Sequence, residues 1–154
     1  MPDSNVAALA GADTLIINQR IFNDFADADT IDLDFPNGIA TVKKGKNGNA
    51  LFALNTQGQI GVLKIGLVRA SADDVFLLNL LNLQNSNFAG FTLLTGQYVK
   101  NVGDGASNIS ADTYLLSGGV FQKQTPGKEN VEGNTDQAKV MYEIHFSKAL
   151  RIVA

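Results

Sequence analysis

Lys139–Val153 reads KVMYEIHFSKALRIV, and its first half alternates without a break. Val140, Tyr142, Ile144 and Phe146 fall on one side, and Lys139, Met141, Glu143 and His145 on the other. A period of two is the mark of a strand with one buried face and one wet face. Working backwards, QIGVLKIGLV (Gln59–Val68) places Leu63, Ile65 and Leu67 on one face and Ile60, Val62 and Val68 on the other. Both faces want cover, which suits a strand buried on two sides.

More strands surround these two. TIDLDF (30–35) alternates Ile31, Leu33 and Phe35 against Asp32 and Asp34, and TLIINQRIFNDF (14–25) before it is rich in β-formers. With Asp27-Ala28-Asp29 as the turn, these two stretches are expected to pair as a hairpin. Pro36-Asn37-Gly38 stops the second of them, because proline lacks a ladder donor and Asn-Gly tolerates positive φ. IATVKK and ALFALN follow, then GFTLLTGQYVKN and TYLLSGGVFQKQ beyond position 90. SADDVFLLNLLNLQ (71–84) is the one helical pattern, with Phe76, Leu77, Leu80, Leu81 and Gln84 on a 3.6-residue stripe that Leu78 and Leu83 widen. Ser71 with Asp74 three residues later makes a capping-box-like start, and Asp73 and Asp74 suit the positive end of the helix dipole. The expected fold is therefore mainly β, an antiparallel sandwich or barrel with one α-helix. At 154 residues it forms one domain, 1–154, with a flexible N-terminal arm over 1–12 and an exposed polar loop over 125–137.

Composition narrows the function. The net charge of −3 argues against a protein that grips nucleic-acid phosphates. Cysteine is absent, which removes disulfide and thiolate chemistry. No apolar run reaches the roughly 18 residues that span a bilayer, so no membrane partner is expected. MPDSNVAALAGADT at the start lacks the basic n-region of a secretion signal, which points to the cytoplasm as the place of synthesis. Only 18% of residues are charged, while Asn79, Asn82, Gln84, Asn85 and Asn87 crowd into one short stretch. Uncharged polar surface is cheaper to desolvate than charged surface, so this composition permits extensive subunit contact.

Gly45-Lys46-Asn47-Gly48 differs from a phosphate-binding loop: its lysine precedes the second glycine, no hydroxyl follows, and a strand rather than a helix comes next. It reads as the turn of a hairpin, with Asn47-Gly48 the positive-φ pair and Lys43, Lys44 and Lys46 a basic tip. His145 is the sole histidine, which rules out a His-based triad or a two-His metal site within one chain. The aspartates between 24 and 34 lack calcium-loop spacing. No catalytic residue, cofactor or metal is expected, and the chain is read as a non-enzyme.

The order of elements from Gly38 to Leu83 is a strand, a glycine-bearing turn, a polar strand, an apolar strand and a Ser-started helix. It resembles the tail tube proteins of contractile-tailed bacteriophages, fold relatives of the type VI secretion tube subunit. The closing strands 112–124 and 139–152 agree with that resemblance. It implies a structural virion protein, assembled in the host cytoplasm, whose hexameric rings stack into the inner tail tube. DNA would pass through the lumen into the host without specific binding. The implied partners are further copies of the chain, the tail sheath, and the baseplate and tape-measure proteins. On this reading Lys43, Lys44, Lys46, Asn47 and Gly48 form a loop reaching an adjoining ring, and Asp32, Asp34 and Glu143 face the lumen. The alternative is a small β-barrel virion or surface module that binds a ligand or carbohydrate, although the lack of tryptophan and the three tyrosines suit sugar stacking poorly.

Overall fold

The computed structural model describes residues 8–9, 13–26, 31–125 and 138–153. The fold is mainly β with one helix, and every strand pair is antiparallel. In chain order the strands are β1 (Ala8–Leu9), β2 (Thr14–Ile17), β3 (Arg20–Ile21), β4 (Ile31–Asp34), β5 (Ala40–Lys44), β6 (Ala50–Leu54) and β7 (Gly61–Val68). Helix α1 (Ala72–Ser86) follows, then β8 (Leu94–Gly103), β9 (Ile109–Phe121) and β10 (Lys139–Val153). The large sheet runs β3-β2-β8-β9-β10-β7-β4, with β1 added alongside β8, while β5 and β6 form a separate two-stranded sheet.

One segment joins the two ends of the large sheet. Phe22 donates its N–H to the Leu15 carbonyl on β2, while Val68 and Ala26 exchange bonds with Asp24 and Gly66 along β7. Phe25 adds a bridge to Leu67. Residues 20–26 thus span from the β2 end to the β7 end, and the sheet curls toward a barrel. The curl encloses Leu15, Ile17, Leu63, Ile65, Leu67, Leu94, Ile144 and Phe146, all inaccessible to solvent. Closing a sheet on itself satisfies edges that would otherwise be templates for association.

This arrangement corrects the expected first hairpin. The strand at 14–21 pairs with itself across Asn18-Gln19 (φ 48° and 69°), and with β8, whereas β4 pairs with β7. Two consecutive positive-φ residues supply the tight reversal whose twist matches its flanking strands. Asp27-Ala28-Asp29 lies outside the described residues. So does most of the arm expected over 1–12, although Ala8 and Leu9 pair with Gly103 and Val102. The loop expected over 125–137 lies outside them as well, except for Thr125.

Helix α1 seals the core with Leu77, Leu81 and Gln84. The Ser71 side chain accepts from the Asp74 N–H at 3.3 Å, as a Ser N-cap should. The two aspartates of the first turn do more than complement the dipole. Asp74 accepts from the Ala70 N–H (2.7 Å) and from the Tyr142 hydroxyl, tying α1 to β10. Burial, and then the Asp74 carboxylate, push the Tyr142 phenol far above its ordinary pKa, so it remains a donor. Asp73 accepts from the N–H groups of Asn23 (2.7 Å) and Asp24 (2.8 Å) and from Arg20 Nε (2.9 Å), and so fastens the closing segment to the helix. The Arg20 guanidinium also lies 5.2 Å from the centre of the Phe76 ring.

Burial would raise the Asp73 carboxyl, but the backbone bonds and Arg20 outweigh it and hold the pKa below the ordinary value of 3.8. A lowered folded pKa contributes stability above the unfolded pKa, and that stability is lost as pH falls through the folded value. Asp73→Ala is expected to cost about 2 kcal/mol at pH 7, because two N–H groups lose their acceptor. The gap to the wild type should begin to narrow as pH falls below the unfolded value of about 3.9. It should narrow further as pH falls through the lowered folded value and the wild-type carboxylate is itself protonated. Urea unfolding at pH 7 and pH 3 measures both; an equal gap at the two pH values would contradict the assignment.

At the other end of α1, the Gln84 amide takes the place of a neighbouring strand. Its Nε2 donates to the Phe121 carbonyl (2.9 Å) and its Oε1 accepts from the Phe121 N–H (2.8 Å). β8 begins at Leu94, opposite Gly119, so it does not reach Phe121. Gln84 fills that gap in the ladder.

Between Leu116 and Gly119 the sheet changes which residues face inward. On β9 the buried positions run Leu116, Gly119, Phe121, and on β10 they run Ile144, Phe146, Ala149. A spacing of three on both strands means that each turns over once. Gly118 absorbs the turn at φ +66°, and a Cβ there would lie 1.9 Å from Ser147 Oγ.

Candidate functional site

The β5–β6 hairpin stands apart from the barrel. Its register is Ala40↔Leu54, Thr41↔Ala53, Val42↔Phe52, Lys43↔Leu51 and Lys44↔Ala50. Directly opposed residues share a face, so Ala40, Val42, Ala50, Phe52 and Leu54 make one apolar surface that Lys44 ends. Every residue of both strands is exposed: Val42 at 63%, Phe52 at 76% and Leu54 at 81%. At its root the two legs are held together by Asn55 N–H donating to the Ile39 carbonyl (2.9 Å) and Asn37 Nδ2 to the Gln57 carbonyl (3.4 Å). A lone two-stranded hairpin is marginal in water, and a third strand or a packed partner is what stabilises one.

The five residues expected to form a reaching loop are all placed at its tip. Lys43 and Lys44 end β5, and Lys46, Asn47 and Gly48 turn the chain, with φ of 69° at Asn47 and 81° at Gly48. Gly45 N–H closes the loop on the Asn49 carbonyl. The loop is five residues long, but the positive-φ pair sits where Asn-Gly predicts it. The sequence reading missed the apolar face beside the lysines. The apolar run ALFAL (50–54) was visible in the sequence, but that β6 would have only β5 beside it was not.

Asp32, Asp34 and Glu143 are also brought to one region. Asp32 is opposite Lys64, and Lys64 is opposite Glu143, so the three cross adjacent strands on one face, with Asp34 two residues along from Asp32. Lys64 interrupts the acidic set. The Glu143 carboxylate has Lys64 and His145 at 3.9 Å and Lys123 at 3.8 Å, beyond hydrogen-bonding reach, and its Oε2 has no hydrogen-bond partner. The face is of mixed charge rather than uniformly acidic.

Surface hollows beside Glu143, beside Leu83 and beside Leu150 have volumes of about 200, 160 and 210 Å³. Small-molecule sites usually enclose roughly 300–1,000 Å³. Among the described residues no group of three His, Asp or Glu side chains converges as a metal site would require. Comparison with protein-family models and with curated proteins finds no match for this chain.

Proposed function

We propose that this chain is a structural subunit that polymerises with copies of itself, in the manner of the phage tail tube proteins its sequence resembles. The observation that carries this reading is the projecting hairpin, whose apolar face is exposed and covered by none of the described residues. Fully burying each of Val42, Phe52 and Leu54 contributes on the order of 1.5–3 kcal/mol, a large driving force for association when several copies do it together. The helix adds support, because its outward side is uncharged. In a stacked-ring tube the mixed-charge face of Asp32, Asp34, Lys64 and Glu143, with its excess of acid, lines the lumen, where a net negative wall lets DNA slide without being held. A sheath, a baseplate and a tape-measure protein complete the proposed virion assembly.

Negative-stain microscopy and sedimentation of the purified protein over a range of concentrations test the proposal. Rings or hollow tubes that lengthen with concentration are the expected result. A monomer at every concentration would falsify the polymer reading.

A further inference from the structure

The outward side of α1 carries Ala72, Val75, Leu78, Asn79, Asn82, Leu83, Asn85 and Ser86, all exposed and none charged. Solvent-facing helix surfaces normally carry charge, whereas the centres of protein interfaces are depleted of it. No lysine, arginine or histidine occurs between Arg69 and Lys100. The two exposed apolar surfaces, hairpin and helix, also differ in charge. Residues 36–60 carry Lys43, Lys44 and Lys46 and no acid, a charge of +3; with −3 for the whole chain, the remainder carries −6. A cationic arm and an anionic body attract between copies, and steer the arm of one toward the body of the next.

Resting on the self-assembly reading above, we infer that the apolar hairpin face of one copy (Val42, Phe52, Leu54) docks on the uncharged outer face of α1 (Val75, Leu78, Leu83) of a second copy. Within one chain both surfaces are exposed, so the hairpin does not lie on its own helix. The basic tip meets no cation along the whole 70–99 stretch. The helix supplies no basic residue in its last turn either, which leaves the negative end of its dipole available to the lysines. Because the two halves of the contact are different surfaces, each docking leaves one hairpin and one helix free. Such a contact propagates instead of closing on a pair.

The test uses two full-length variants, Phe52→Asp, which spoils the hairpin, and Leu83→Asp, which spoils the helix face. Both positions are exposed, and circular dichroism matching the wild type confirms folding; if Leu83→Asp departs from it, Val75→Asp replaces it. Each variant is concentrated alone, then the two are mixed in equal amounts and sized by light scattering. Alone, each should stop far short of the wild-type polymer. Mixed, the intact helix of one accepts the intact hairpin of the other, so the mass should double and rise no further. Polymerisation of either variant like the wild type, or a mixture whose mass does not change, overturns the docking while leaving self-assembly intact. A wild type that stays solitary overturns both.

Discussion

Gln84→Leu is expected to lower the stability of the fold by roughly 3 kcal/mol, because it strands a buried N–H and a buried carbonyl of Phe121 together. For a domain of this size that is a fall in Tm on the order of 10 °C. The leucine fits the space approximately, so the loss comes from unpaired backbone rather than from a cavity. Gln84→Glu separates the two. A protonated glutamic acid can both donate to the Phe121 carbonyl and accept from its N–H, whereas the carboxylate can only accept. Burial raises the folded pKa of such a group, so its stabilising contribution is complete below the unfolded pKa of about 4.3 and lost as pH rises through the folded value. Relative to the wild type, Gln84→Glu should therefore recover on acidification, and Gln84→Leu should not. Thermal melts at pH 7 and pH 4 decide this; parallel pH responses of the two variants would show that Gln84 acts only by filling space.

The second large effect is at Gly118. Alanine there must hold a left-handed φ, which costs roughly 1–2 kcal/mol, and its Cβ must displace Ser147 Oγ. Together these are expected to cost about 3 kcal/mol, in line with overpacking plus backbone strain. The two parts can be pulled apart because only one depends on Ser147. Ser147→Ala in the Gly118→Ala background removes the colliding oxygen, and should restore the steric share while leaving the backbone share. A double-mutant cycle by urea unfolding reads the difference as a coupling energy between neighbours. Strict additivity would mean that Ser147 moves aside without cost and that the whole loss is backbone strain.

Both predictions depend on partners about thirty or more residues away, and that marks the boundary of what the chain announces. Val140, Tyr142, Ile144 and Phe146 are buried as their alternation demands, and Ser71 caps α1 as its position before Asp74 predicts. Asn47-Gly48 turns the β5–β6 hairpin for the same kind of reason, a backbone preference that acts over a few residues. Other features were not legible. Asn18-Gln19 has no glycine to mark a positive-φ pair, so the expected pairing of 14–25 with 30–35 missed the turn inside the first of them.

The site divides the same way. The sequence by itself determined a mainly antiparallel β fold, one capped helix and a lysine-tipped hairpin, because periodicity, capping and turn chemistry are set by residues near one another in the chain. Only the tertiary structure decided that Asp73 fastens the closing segment, that Gln84 completes a ladder, that Lys64 lies between Asp32 and Glu143, and that Val42, Phe52 and Leu54 are left uncovered. Each of those depends on which strands become neighbours. Strand pairing is chosen by the burial of the whole sheet, and no local pattern carries that choice.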